Sequence, residues 1–299
     1  MGFLTVLLPI FTVFTIGYIG KKLWNIDVKP IATMAIYLLS PFLAFQTFYQ
    51  NPINLDYFYM FVYLAMLCII CIFICYIIGF IKRWSKKQLS GFILASSFMN
   101  NGNYGAPLVL LVFGETGFHY AVILMVLQQL IMCTIGIYIA AQGSQTEQAH
   151  SPLKEVIKVP IVYGALAGII VNGIGVSLPE GIATVVNMVA DAAIPTVMIV
   201  LGMQLATISL KKIEFGNLSI ALVLRLAIAP IIAFVITLFL PIDEMVKQIM
   251  ILTAAMPTAA NTTMYAVKFN ARPMFVSSAT LTSTLLSIIT LPIVLALIL

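Results

Sequence analysis

Apolar residues in this chain come in unbroken runs of about 20, separated by short polar clusters, with no alternation that would mark a half-buried strand. The runs lie at roughly 3–24, 30–49, 57–81, 88–113, 118–142, 159–177, 181–208, 216–240, 245–268 and 273–298. Each can cross a ~30 Å hydrocarbon core at 1.5 Å per residue. The pattern predicts an all-α polytopic membrane protein of ten spanning helices with little mass outside the bilayer. Two runs are interrupted by residues that no lipid-facing helix favours. The fourth contains Asn100-Asn101-Gly102-Asn103-Tyr104-Gly105-Ala106-Pro107, and the ninth contains Met256-Pro257-Thr258-Ala259-Ala260-Asn261-Thr262-Thr263. Backbone in hydrocarbon must satisfy its own hydrogen bonds, so unwound segments persist there only inside protein or along a polar cavity. Both runs therefore read as helices broken at a binding site.

The longest polar stretch, Gln142 to Lys158, leaves five runs on either side. The chain divides into a first repeat over 1–142, a cytoplasmic linker over 143–158 and a second repeat over 159–299, inverted because five is odd. The second run of each half carries a central proline, Pro41 and Pro195, and the fourth carries the break. Asn261 lies 158 residues after Asn103, and Pro195 lies 154 after Pro41. Inverted repeats with discontinuous helices in matching places point to a secondary transporter whose site lies near the midplane. At each break the following half-helix starts with N–H groups that have no intrahelical partner and a dipole worth roughly +0.5 charge. Two such ends meeting would attract an anion, while the preceding carbonyl ends would suit a proton donor or a small cation.

Composition agrees with the bilayer: 62% of the 299 residues are hydrophobic, 8% are charged and mean hydropathy is +1.11. Positive charge is retained on the cytoplasmic side. Lys21, Lys22, Lys29, Lys82, Arg83, Lys86, Lys87, Lys154, Lys158, Lys211, Lys212, Lys268 and Arg272 all fall on one side of a ten-span chain. Lys247 lies opposite, among Asp56, Glu115, Glu180, Asp243 and Glu244, so both termini are expected to be extracytoplasmic. The net charge of +5 follows from this bias and gives no argument for nucleic acid. The first run has no preceding basic region and no small-residue cleavage site, which makes it a span rather than a signal peptide. Cys68 and Cys71 have C-x-x-C spacing without a βαβ context and, with Cys75 and Cys133, read as small packing residues. His119 and His150 fall in loops on opposite sides, leaving no metal constellation.

Asn100, Asn103 and Tyr104 on the first break, Thr258 and Asn261 on the second, and Arg225 within the eighth run are the substrate-contact candidates. The alternative for the break residues is that they only cap the broken ends. Gly102, Gly105, Pro107 and Pro257 set the breaks, since glycine permits close approach and proline lacks the N–H needed to continue a helix. Intramembrane ionisable groups are costly and by default mark function. Asp191 and Arg225 lie ten and nine residues from their span ends at Gly181 and Gly216, about 14–15 Å deep. Asp191, with Asn187 one turn away, is a candidate for proton or ion coupling. Arg225 either attracts a carboxylate or pairs with Asp191 or with helix-end carbonyls. Gln128 and Gln129 are further coupling candidates. Thr280, Ser283, Thr284, Ser287 and Thr290 more often signal close helix packing, and Gly164-x-x-x-Gly168 fits a dimer contact or an internal one. No metalloprotease or nucleophile-elbow signature occurs, so an enzyme is not expected.

At the two breaks the chain resembles the auxin efflux carrier family, which includes the plant PIN-FORMED carriers and bacterial permeases proposed for malate or malonate. The resemblance rests on Asn100-x-Gly102-Asn103-Tyr104-Gly105-x-Pro107-Leu108, on Met256-Pro257-Thr258-Ala259 followed by Asn261, and on Thr284-Leu285-Leu286-Ser287 with Leu291-Pro292. It implies a fold related to sodium/proton antiporters and bile-acid symporters. In that fold spans 1, 2, 6 and 7 form a scaffold, spans 3–5 and 8–10 a moving transport domain, and spans 4 and 9 cross at their breaks. It further implies a homodimer in the lipid bilayer and places Asn100 and Pro257 beside the anion. Met99 stands where plant carriers have proline, and their long cytoplasmic loop is here under twenty residues, which argues against auxin as substrate. The expected function is a permease for a small mono- or dicarboxylate working by alternating access, with no cofactor beyond an H+ or Na+ coupling ion. A sodium/proton exchanger or a channel on the same fold is the alternative, although an exchanger would be expected to carry carboxylates at the crossover.

Overall fold

The computed structural model describes residues 3–144, 159–208 and 214–299. His150, Lys154, Lys158, Lys211, Lys212 and the linker beyond Ser144 lie outside the described residues. Everything regular within them is helical, and the single isolated β-bridge joins Met99 to Thr258. In chain order the helices are α1 (Phe3–Trp24), α2 (Val28–Gln50), α3 (Leu55–Ile81), α4 (Lys86–Ser96), α5 (Asn101–Gln142), α6 (Pro160–Gly173), α7 (Glu180–Thr207), α8 (Phe215–Thr237), α9 (Glu244–Ala254), α10 (Ala260–Lys268) and α11 (Pro273–Ile298). Six of them, α2, α3, α5, α7, α8 and α11, are long and apolar enough to cross a membrane.

Local chemistry explains the ends. Ser85 and Gln88 form a reciprocal capping box at the start of α4, and the Asp243 carboxylate accepts the Met245 N–H at the start of α9. The expected loop between the fourth and fifth runs is absent. Instead α5 turns sharply at Gly114, whose φ of 66° is open to a residue without Cβ. His119 therefore sits on a helix beyond that kink rather than in a loop. Of four widened, π-type turns, three, Ala35–Leu39, Asn101–Gly105 and Leu224–Ile228, each run up to a proline two residues on, at Pro41, Pro107 and Pro230, while Met132–Gly136 has none. Proline lacks the N–H of the regular ladder and its ring crowds the preceding turn, so the helix widens there.

Glycines bring two helix pairs into backbone contact. A Cβ at Gly202 of α7 would lie 1.9 Å from the Phe14 carbonyl of α1, and one at Gly17 would lie 2.1 Å from Ile199 O. A Cβ at Gly164 of α6 would lie 2.0 Å from Pro41 O of α2, and one at Gly168 would lie 2.5 Å from Phe45 O. The Gly164-x-x-x-Gly168 motif is thus an internal packing face. Small residues of this kind let membrane helices approach when lipid supplies no hydrophobic drive. The main core runs through α3, α4, α5, α9 and α11 and includes Cys68, Cys71, Cys75 and Cys133. A separate small apolar cluster, Leu43, Val122, Ala190 and Ala193, lies where α2, α5 and α7 meet.

Candidate functional site

The two breaks cross and pair. Between Ser96 and Asn101, and between Ala254 and Ala260, the chain leaves the helix, and the exposed peptide groups satisfy each other. The Asn100 N–H donates to Pro257 O at 2.9 Å and the Ala259 N–H to Phe98 O at 3.0 Å, an antiparallel bridge in the middle of the fold. The Thr258 hydroxyl donates to Ala95 O at 2.6 Å, and its N–H donates to the Ser283 hydroxyl at 3.1 Å. The second break thus caps the carbonyl end of α4, with α11 holding it from behind.

Arg225 completes the carbonyl side. It is fully buried; Nη1 donates to Ser96 O at 3.4 Å and Nη2 to Ala254 O. One guanidinium thus joins the last carbonyls of both α4 and α9. Of the alternatives open in the sequence, the structure shows helix-end pairing; Asp191 lies elsewhere.

The amino ends of the following half-helices have no such cover. Neither α5 at Asn101 nor α10 at Ala260 has a side-chain cap, and both border a cavity of about 430 Å³. Asn100, Asn101, Gly102, Asn103 and Gln128 line one wall with Gln129, Asn261 stands on α10, and Gln204 of α7 faces them. Several buried polar atoms here find no partner in the protein: Nδ2 of Asn100, Nδ2 and Oδ1 of Asn101, and Oε1 of Gln204. A buried polar group left without a partner costs about 1–3 kcal/mol, so a polar ligand or water that paired with these amides would be favoured here. Gln129 donates to Cys133 Sγ at 3.2 Å.

Of the sequence candidates, Asn100, Asn103, Asn261, Gln128 and Gln129 come together on this cavity, with Gly102. Tyr104, Thr258 and Arg225 lie behind its wall. Tyr104 packs edge-on to Phe11 and Phe14, with its hydroxyl 3.0 Å from Ser287 Oγ. Gly105 and Pro107 carry α5 away from the break, and Pro257 accepts the bridge hydrogen bond. Asp191 is exposed and lines a second cavity of about 490 Å³ with Glu115, His119, Gln46 and Asn51, while Asn187 accepts from Gln46 at 2.8 Å. Leu43 and Ile194 line both cavities, so the small apolar cluster stands between them. Sequence reading passed over Asn101 and Gln204. Each carried a signal, Asn101 as part of the first break and Gln204 as an amide in the apolar run of α7, which also holds Asn187.

Long apolar helices and two unwound crossings holding unpaired amides define a multi-pass membrane protein built around a polar interior. The family model described as "Membrane transport protein" matches residues 3–295, and the chain belongs to that family. It is similar to an uncharacterized transporter of Methanothermobacter thermautotrophicus, 26% identical over 309 residues with 98% of this chain and 97% of the relative covered. A second uncharacterized transporter, from Methanocaldococcus jannaschii, is 24% identical over 294 residues, with 95% of each chain covered. A Rhizobium meliloti protein named "Putative malonate transporter" is 24% identical over 299 residues, covering 95% of this chain and 92% of the relative. The protein is a membrane transporter, and its family membership argues against an enzyme.

Proposed function

We propose that the chain is a secondary carrier for a small organic anion, a mono- or dicarboxylate, which binds where the two breaks cross. The observation that carries this reading is the asymmetry of the crossover. Its carbonyl ends are covered by Thr258 and Arg225, whereas its amino ends are uncapped and face a cavity beside unpaired amides. Uncapped amino ends present N–H donors and positive dipole to an anion. A relative named for malonate fits that charge, and among the described residues no carboxylate stands on the cavity wall to hold a sodium ion or exchange a proton.

Ten spans in two inverted halves remain our reading of the architecture, supported by the exchange of helix partners. The α1–α7 and α2–α6 contacts, made through glycines in both cases, map onto each other when the halves are swapped. The cavity includes Lys268, Val159 and Pro160, beside the lysine-rich loops, so it opens toward the cytoplasm in this orientation. The cavity holding Glu115 and Asp191 then lies on the far side, and the Leu43, Val122, Ala190 and Ala193 cluster closes the path between them. Alternating access would open that cluster as α5 and α10 move against α2 and α7.

Uptake of radiolabelled malonate into proteoliposomes tests the site. Asn100→Ala and Asn261→Ala are expected each to lower uptake at least tenfold while the purified protein stays folded. Unchanged uptake in both variants would remove the crossover as the binding site.

A further inference from the structure

We infer that Arg225 is a positioning residue that sets the sign of charge at the crossover, making it selective for anions in proportion to their charge without touching them. The inference rests on the anion-carrier reading above. Arg225 is fully buried and absent from the cavity wall, so direct contact with a ligand there is ruled out. Its guanidinium reaches the last carbonyls of both broken helices at once, Ser96 and Ala254. Each carbonyl end carries roughly −0.5 charge, so the two together match one cation. A neutral donor would satisfy the same hydrogen bonds and leave that negative charge in place, and the crossover would then present two complete dipoles of no net sign. With Arg225 in place, about one positive charge remains at the amino ends of α5 and α10, where the amides of Asn100 and Asn101 are unpaired.

The expected size follows from distance. Asn100 lies four residues after Ser96, about 13 Å of extended chain at most. At an effective dielectric near 20, a unit charge at about that range changes the affinity of a monoanion about tenfold and that of a dianion about a hundredfold. A merely architectural role has no such charge dependence.

The test uses three ligands of one skeleton on the purified full chain near pH 7.5: malonate, its monoamide and its diamide, with charges of −2, −1 and 0. Calorimetric affinities are measured for wild type and Arg225→Gln. Malonate is expected to weaken about a hundredfold, the monoamide about tenfold, and the diamide by less than twofold. Arg225→Lys, which keeps the charge, should retain the wild-type ratio between malonate and the monoamide. Should the Gln variant fail to fold, Cys71→Asp serves in its place: Cys71 is buried and electrostatically coupled to Arg225, so a carboxylate there opposes the guanidinium charge where it stands. The same graded loss is expected. A wild type that binds malonate, with variants that weaken all three ligands equally, overturns the inference alone. A wild type that binds neither acid overturns the carrier reading and the inference with it.

Discussion

The same substitution, threonine to valine, should have opposite effects at two buried hydroxyls. Valine nearly matches threonine in shape, so the exchange opens little cavity and isolates the hydroxyl. At Thr258 the hydroxyl donates to Ala95 O at 2.6 Å from a fully buried position. Its loss leaves the Ala95 carbonyl unpaired at a helix end, which costs about 1–3 kcal/mol. At Thr290 of α11 the buried Oγ1 makes no hydrogen bond, so valine removes a desolvated group and is expected to be neutral or stabilising by up to about 1 kcal/mol. Converted at about 2 °C per kcal/mol for a chain near this size, Thr258→Val should lower the melting temperature by about 2–6 °C. Thr290→Val should leave it unchanged or raise it by up to about 2 °C. Differential scanning fluorimetry of the detergent-purified protein reads both. Equal shifts in the two variants would refute the claim that Thr258 holds the crossing together.

Gly202→Ala places a methyl 1.9 Å from the Phe14 carbonyl and should cost more than about 2 kcal/mol by separating α1 from α7. Gly216→Ala meets no neighbour and should stabilise by about 0.5–1 kcal/mol, both read as thermal midpoints. Arg272 bonded to Glu214 holds that carboxyl below its ordinary 4.5, chiefly through the hydrogen bond, with burial opposing and Asn217 assisting. A lowered pKa contributes stability that is present above 4.5 and lost as pH falls through the folded value. Glu214→Gln should therefore flatten the pH dependence of the midpoint below about pH 4.5, by less than about 1 kcal/mol since the pair is half exposed. Cysteines at Leu43 and Val122, on α2 and α5 of the small apolar cluster, should cross-link and abolish malonate uptake, with recovery on reduction. Full uptake by the cross-linked protein would show that the cluster does not open.

Helices and breaks were legible because hydrocarbon allows few structures, and run length and polar interruptions carry that constraint in one dimension, whereas the crossing of the two breaks followed only from the family resemblance. Direction was not legible. The Tyr104 side chain turns toward Phe11, Phe14 and Ser287 on α1 and α11, partners that adjacency to Asn103 cannot reveal. Thr258 and Asn261 stood equal in the sequence, yet the hydroxyl of one is committed to Ala95 while the other faces the cavity. Arg225 was visible as a buried cation, and the choice between ligand and helix ends depended on two carbonyls far apart in sequence. Gly114 hides its role for another reason: one residue at positive φ replaces a whole loop, and composition does not distinguish it from a packing glycine.

The most direct test of the central claim is a structure of the protein with malonate bound. Density for a carboxylate is expected in the cavity between α5 and α10, within hydrogen-bond reach of Asn100, Asn101 or Asn261 and of the uncapped N–H groups that follow the two breaks. Density instead beside Glu115 and Asp191, or against Lys87 and Arg272 near the start of α11, would contradict it.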